Sequence, residues 1–564
     1  MKTLSILALG LASQLAWAGT AEDITDGVCF YQHSHYKGAE HCYLPGQSVS
    51  AVANRDWSSI RVIGRGAARI YKGEQYQGDS RNVMANAYEL NGMNDAIASV
   101  QIYRRSSDDF ACMFDHDGFR GDVHCLAAGQ SESDLTAVGY NDATSSMQLF
   151  GDVAVTVFEN VGYGGKSQLL SRSTSDFNAR PGGWLDDNIS SWKAVKRAKR
   201  DQEVAIELQE RLGDKAPLHG STVLGSHNSF NSSAYNNTEG FVSPNQRRSL
   251  TEQLEMGARM FEFDAHSYWS DDVALCHASD GDCFWSPWLR QSMRRLAAEL
   301  NAWLNSHPRQ VLYLYLNDYL GDGDKALLGQ VVASSFGTRL YRPQGCENLS
   351  PEISNQQVLA ADRQIVVFSD RACVEGLVFA RGDFESGHSV RDDGTDFSGR
   401  NYVDGRFSRA YECDHPNCTN VLNAEQVRQA QLAGINSVAQ DQLVEDGKAL
   451  YQLWAFDPAP ASHYGDWQAE SRSARLTANG HYYLAMGDKG ELLRPLCHDG
   501  SGWRLAPQAV GFDEAAAACA AINGRFEAPK YLVEADKARQ LLAQQGVVQA
   551  HIAFGVAGGR WQAD

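Results

Sequence analysis

Two histidines and two carboxylates fall in one short part of the chain, each at or just past an apolar run. Val223–Ser229 (VLGSHNS) reads as a short buried strand that turns to present His227 and Asn228. Met260–Ala265 reads as a second strand in which Glu262 and Asp264 alternate with apolar neighbours. Period-two alternation puts both carboxylates on one face. The LCH tripeptide then supplies His277. This set suits phosphoryl transfer: one imidazole relays a proton, the other protonates a leaving group, and the carboxylates hold a hard cation.

Such residues need a scaffold that aims them at one point. Apolar runs at Val311–Leu316 and Ile365–Ser369, with a weaker one near Ile435–Val438, alternate with helical stretches such as Gln291–Asn305. Strands alternating with helices imply a parallel sheet over residues 218–470. His227 and Asn228 follow the first of these strands, Glu262 and Asp264 lie on the second, and Asn317 and Asp318 end the third.

The blocks GSHNSF, LEMGARMFEFDAH, LCHASDGDC and VLYLYLNDY, in this order, resemble the X-domain of phosphatidylinositol-specific phospholipases C, and most closely the secreted type with a cysteine before the second histidine. The resemblance implies a distorted TIM barrel. It also implies attack of the inositol 2-hydroxyl on the phosphate, cleavage of the glycerol–phosphate bond, and an inositol 1,2-cyclic phosphate as first product. Carried over residue by residue, it makes His227 and His277 catalytic, with His277 the general acid. Asn228, Glu262, Asp264 and Asn317 become Ca²⁺ ligands, with Asp318 a weaker candidate. Asn317 stands where related sequences usually carry a carboxylate, so it can ligate but not act as a base. Metal-independent relatives replace one ligand carboxylate with arginine, and keeping both Glu262 and Asp264 favours the metal form.

Residues ahead of this region repeat four times. Aromatic-x4-aromatic-x-Gly recurs at Tyr31/Tyr36/Gly38, Tyr71/Tyr76/Gly78, Phe114/Phe119/Gly121 and Phe158/Tyr163/Gly165. Each copy is followed by a loop: Asn54–Ser59, Asn94–Ser99, Asn141–Ser146 and Asp186–Ser191. The aromatics would pack a folded hairpin and the glycine would take a backbone position closed to other residues. The pattern resembles the βγ-crystallin motif, implying two Greek-key domains, 27–104 and 109–195. In that family such loops bind calcium. Repeats three and four match in full through Asn141, Asp142, Ser145, Asp186, Asp187 and Ser190. Repeat two carries Ala98 and repeat one Arg55, a cation that weakens or abolishes binding. Turn geometry alone also accounts for Asn, Asp and Ser in loops.

The rest sets bounds. Residues 1–18 read as a signal peptide, with Lys2, an apolar run too short to span a bilayer, and an A-x-A site. Twelve cysteines favour disulfides in an exported chain. Local pairing gives Cys29–Cys42, Cys112–Cys125, Cys276–Cys283, Cys346–Cys373, Cys413–Cys418 and Cys497–Cys519; Cys276 as a nucleophile is the competing reading of that position. A net charge of −19 argues against nucleic acid and against simple electrostatic docking on anionic lipid. No later apolar run reaches a spanning length. Residues 196–217 read as a linker with a short helix. Residues 471–564 form a small α+β region that weakly resembles a C-type lectin-like fold. The expectation is a secreted, periplasmic or cell-surface phosphoric diester hydrolase, calcium-assisted, in peripheral contact with a phospholipid or phosphoinositide membrane. A phosphodiesterase for another lipid or glycerophosphodiester stays open, as does a non-enzymatic calcium-binding envelope or adhesion protein with a degenerate barrel.

Overall fold

The computed structural model describes residues 20–21, 24–178, 184–235, 244–267, 271–277, 290–371, 373–382, 385–389, 405–415, 418–444 and 447–563, with backbone alone at 322, 385–389, 413–415 and 418–420. The expected signal peptide, Cys283, and the side chains of Cys413 and Cys418 lie outside these residues.

The four repeats build two copies of one arrangement. In the first, Lys37–Tyr43, Gly27–His33 and Ser59–Ile63 form one sheet, and Ser48–Val49, Ser99–Arg104, Gly66–Tyr71 and Ser80–Val83 form the other. Ser48–Val49, from repeat one, thus pairs in the sheet of repeat two, as a Greek key requires. The second copy repeats this, with Ser131–Glu132 crossing to pair with Ser191–Lys196. The aromatic signature explains the corners. Its rings meet at centroid distances of 5.5, 5.8, 5.8 and 5.4 Å in the four repeats. The final loop serine locks each corner: Ser59, Ser99, Ser146 and Ser191 accept from the amides of Tyr36, Tyr76, Phe119 and Tyr163 at 3.0–3.1 Å. Gly121, at φ +80°, could not carry a Cβ, which would stand 1.9 Å from Asp115 Oδ1. Cys29 and Cys112 face Cys42 and Cys125 directly across antiparallel strands, and both pairs are disulfides.

Helix α1 (Asp201–Gly213) follows. Its apolar residues Val204, Leu208 and Leu212 are buried in one cluster with Trp454, Leu532 and Trp561 from the C-terminal part. The basic run ahead of it folds back on its acids, with Arg197 on Glu203 and Lys199 on Glu207, each at 2.7 Å.

The central region alternates β1 (Val223–Ser226), α2 (Leu250–Glu255), β2 (Met260–His266), β3 (Ala274–Leu275), α3 (Met293–Ser306), β4 (Leu312–Asp318), α4 (Lys325–Phe336), β5 (Ile365–Ser369), β6 (Ser408–Tyr411) and β7 (Ser437–Gln440). Spatial order is Leu340–Tyr341, β5, β4, β2, β1, β7, β6, Glu385–Ser389, and all these pairings are parallel. This parallel sheet with its helices is consistent with the expected α/β barrel. Alternation sorts β2: Phe261, Phe263 and Ala265 pack against Leu296, Leu300 and Trp303 of α3. Met260 joins Tyr313, Tyr315 and Phe368 on the opposite, inner side.

Both N-terminal units sit on barrel helices. Ser173 and Ser175 donate to Glu255 and Glu252 of α2, Gln148 Nε2 donates to Thr251 Oγ1 at 2.7 Å, and Asn86 Nδ2 donates to the Ala298 carbonyl of α3 at 3.1 Å. The last 94 residues add a seven-stranded mixed sheet with helices Ala515–Ala520 and Leu532–Gln544 and the disulfide Cys497–Cys519. Cys346 and Cys373 are also joined. Among the described residues no helix is long and apolar enough to cross a membrane.

Candidate active site

His227 follows β1 and is buried. Its Nδ1 lies 2.9 Å from Asp441 Oδ1, one residue beyond β7, the strand paired to β1 on its other side. That contact fixes the tautomer, since a carboxylate accepts from Nδ1–H and leaves Nε2 for chemistry. Asp441 is itself held: Asn245 Nδ2 donates to Oδ1 at 3.0 Å, and the Asp441 amide donates to Glu412 Oε2 at 2.9 Å. Lys448 Nζ lies 2.9 Å from the same Glu412 oxygen. Burial alone would drive the His227 proton off. The nearby Asp441 and Glu262 charges overcome it and raise the imidazole above its ordinary value.

Glu262 and Asp264 sit inside the barrel, as alternation requires. In register, Glu262 faces Tyr315 and Asp264 faces Asn317 of β4. Glu262 Oε2 stands 3.8 Å from His227 Nε2 and accepts from the Asn228 amide at 3.2 Å. Asn228 takes φ +43°, a left-handed turn that Asn tolerates better than most residues, and its Nδ2 lies 3.3 Å from His227 Nε2. Asn317 Nδ2 approaches Glu262 Oε1 at 3.4 Å. Burial and the Glu262 charge push the Asp264 carboxyl up to about 7. Its Oδ1 is buried with no hydrogen-bond partner.

His227, Asn228, Glu262, Asp264 and Asn317 therefore converge. Asp318 does not join them. It is the next residue on β4, so its side chain leaves by the other face, where it accepts from the Leu320 amide at 2.9 Å and lies near Ser369 and Lys325. His277 is exposed, two residues beyond Leu275, which faces Ala265 of β2. The preceding amide, of Cys276, donates to the Asp264 carbonyl at 3.3 Å. His277 is thus tethered to the Asp264 end of the site. Cys276 is disulfide-bonded. The aromatic residues Tyr268, Trp269, Trp285 and Trp288 lie outside the described residues. His266 stacks on Tyr319, ring centroids 4.7 Å apart.

Two residues with no motif complete the site. Arg409, on β6 and buried, places a guanidinium on Glu262 Oε2, above the rings of Tyr315 and Tyr411. Asp441 is the other. Its strand was readable as the weak run near Ile435, and an acid at a strand end was the available signal. Arg409 left none.

A cation fits the donor set in part. The orphaned Asp264 oxygen, two carboxylates in mutual repulsion and two amide side chains suit Ca²⁺. Arg409 already neutralises one of those carboxylates. Among the described residues the cysteine, histidine and carboxylate cluster tight enough to ligate is Cys29, Glu40 and Cys42, and its cysteines form a disulfide.

The crystallin-type loops are built alike in all four repeats: Arg55, Asp95, Asp142 and Asp187 share φ of 49–52°. Loops three and four exchange backbone bonds, Asp142 N to Ile189 O and Asp187 N to Thr144 O, each 3.1 Å. Ser190 Oγ reaches Asp142 Oδ1 at 3.2 Å, and Ser145 Oγ donates to the Asp115 carbonyl at 3.2 Å. Asn141 Oδ1 and Asp186 Oδ1, at equivalent places, are both buried without a partner. Arg55 instead pairs outward with Glu74 at 2.7 Å.

Residues 195–414 match the family described as the Rv2075c PI-PLC-like domain. Uncharacterized protein Rv2075c of Mycobacterium tuberculosis is 28% identical over 423 residues, covering 67% of this chain and 80% of that protein. Spherulin-3A of Physarum polycephalum is 34% identical over 86 residues, 15% of this chain and 81% of its own length. A solution structure of protein S complexed with calcium, 22% identical, covers 30% of this chain and 98% of that one at a TM-score of 0.22. The PI-PLC-like domain supports a phosphodiesterase-type hydrolase. Residues 195–414 are thus similar to a PI-PLC-like domain, and they follow an N-terminal pair of βγ-crystallin-like domains.

Proposed function

We propose that the protein is an exported phospholipase C that cleaves a phosphatidylinositol-type lipid by attack of the inositol 2-hydroxyl. The observation that carries this reading is the His227–Asp441 pair set against Glu262, Asp264, Asn228 and Asn317 at the C-terminal strand ends. His227 Nε2 takes the 2-hydroxyl proton while Asp441 stabilises the imidazolium. The 2-oxygen bonds to phosphorus and the glycerol oxygen leaves. His277, exposed beside the site, protonates that oxygen to give diacylglycerol and a cyclic inositol phosphate. Calcium, held by Asn228, Glu262, Asp264 and Asn317, would lower the pKa of the hydroxyl and offset phosphate charge. Tyr319 and Val444, 43% and 42% exposed, follow β4 and β7 at the same mouth and offer apolar contact to a bilayer surface.

The crystallin loops of repeats three and four are the second calcium location, supported by the matched orphan oxygens of Asn141 and Asp186. The ion pair of Arg409 with Glu262 favours a second reading, in which the barrel works without a cation and the chain's calcium belongs to those loops. Phosphorus NMR of products from phosphatidylinositol vesicles, with calcium and with EDTA, separates the readings. A cyclic phosphate supports the phospholipase C reading, and its persistence in EDTA supports the cation-free barrel. Cleavage of other phosphodiesters alone, or of none, overturns it.

A further inference from the structure

A cleft of about 580 Å³ separates the first crystallin unit from the barrel. On the barrel side it is walled by residues just ahead of β4 and β5, including Arg309 and Arg363, so it opens at the N-terminal strand ends, away from His227. Six arginines line it, Arg61, Arg65, Arg104, Arg309, Arg339 and Arg363, against three aspartates among the described lining residues. The chain as a whole carries −19. A local positive excess in so acidic a protein calls for a reason.

Three of the six are neutralised. Arg65 pairs with Asp108, Arg104 with Asp26 at 3.2 Å, and Arg309 with Asp214 at 3.4 Å. The others meet neutral partners, and Arg61 also lies over the Tyr36 ring at 5.4 Å. Arg61 donates to the carbonyls of Ser334 and Ser335 at 3.0 and 2.6 Å. Arg339 donates to Asn301 O, Asn301 Oδ1 and Asn305 Oδ1 at 3.0, 3.1 and 2.6 Å. Arg363 donates to the Asp362 carbonyl at 2.9 Å. Among the described residues none of these three contacts a carboxylate. The Ser334 and Ser335 carbonyls end α4, and a helix C-terminus accounts for one cation there. It does not account for three. Burial, with Arg61 beside it, holds the Arg339 guanidinium down to about 10.

We propose that this cleft binds a small, multiply charged phosphate ester, gripped by Arg61 from the crystallin unit and by Arg339 and Arg363 from the barrel. Each guanidinium has five N–H donors and spends at most three on protein, and its planar fork matches a phosphoryl group. The walls are already fixed, since Asn305 Nδ2 donates to the Val62 carbonyl at 3.2 Å across the interface. The volume is that of a small-molecule pocket. A bound anion would join the two units through both walls. The phosphoryl group has two possible sources, a free ester or a lipid headgroup, with the same recognition chemistry.

The test is calorimetric titration of the full chain with pyrophosphate and with inositol hexakisphosphate. Co-sedimentation with vesicles of phosphatidylcholine carrying phosphatidylinositol 4-phosphate runs in parallel. Binding should weaken about tenfold in Arg61→Gln and in Arg363→Gln, be largely kept in Arg363→Lys, and be unchanged in His227→Ala. Vesicle binding with the same arginine dependence, and no response to soluble pyrophosphate or inositol hexakisphosphate, assigns the lipid source. No binding to about 10 mM in either arm overturns the proposal. So does binding that is lost in His227→Ala and indifferent to Arg363, because the anion then sits in the barrel mouth.

Discussion

The guanidinium of Arg409 lies on the carboxylate of Glu262 in the interior of the barrel, although 147 residues separate them in the chain. It puts a fixed positive charge against a residue whose other polar neighbours are His227, Asp264 and the amides of Asn228 and Asn317. Removing one partner of a buried pair costs about 3–5 kcal/mol because the other charge is left uncompensated. Arg409→Met should therefore lower the melting temperature in EDTA, and calcium should restore part of the loss. An equal calcium response in the wild type and in Arg409→Met would show that the guanidinium and a cation do not share Glu262.

The His227–Asp441 contact sets a pH expectation. Asp441 and Glu262 raise the His227 imidazole, so the neutral base is available only above that raised value. Asp441→Asn removes a negative charge, lowers the imidazole and should shift the acidic limb of the kcat/KM profile to lower pH. The rate should fall on the order of 10²-fold or more. His227→Ala and His277→Ala should each cost about 10²- to 10⁴-fold, measured on phosphatidylinositol vesicles.

Glu255 gives a prediction about the seat of the second crystallin unit. Burial, with the nearby Glu252 charge, raises its carboxyl to about 8, against the hydrogen bonds from Ser173 that favour the charged form. The folded chain then keeps a proton that the unfolded chain has lost between the ordinary glutamate value and about pH 8. Stability should decline with rising pH across that window and level off above it. Glu255→Gln should flatten the decline, read as melting temperature against pH between 4 and 9. A parallel profile in the variant would place the titrating group elsewhere.

Calcium should raise the melting temperature of the N-terminal part through repeats three and four. A ligand at 100 times its Kd adds about 2.7 kcal/mol. Asp142→Ala and Asp187→Ala should each remove most of that gain. Arg55→Asn should add calcium binding at repeat one without loss of stability, since Asn accepts the φ of +50° found there more readily than Arg. Calorimetric site counts check both statements.

Local signals were readable and long-range pairings were not. The crystallin corners have a signature within eight residues because ring, ring and glycine fold on one another, and all four pairs were found in contact. Met260–Ala265 and Ile365–Ser369 emerge as strands because β2 and β5 are apolar and short; the helix read at Gln291–Asn305 emerges as Met293–Ser306. The Ile435 run is displaced to Ser437–Gln440, since Ser437 and Gln440, both buried, interrupt the apolar pattern on either face. Asp318 was already the weaker candidate beside Asn317, and strand alternation turns its side chain to the other face. Arg409 gave no sign, because what brings it to the site is the pairing of β6 with β7 and of β7 with β1, which carries its guanidinium to a glutamate on β2.

The position of β7 bears on how the protein can be cut. The family match ends at residue 414, whereas Asp441 and the strand that carries it come later. A fragment trimmed to the matched span would bare one side of β1 and leave His227 with no carboxylate behind its ring. Such a piece would keep every motif of the central region and still lack the carboxylate beside His227, so its silence in an assay would say nothing about the intact protein.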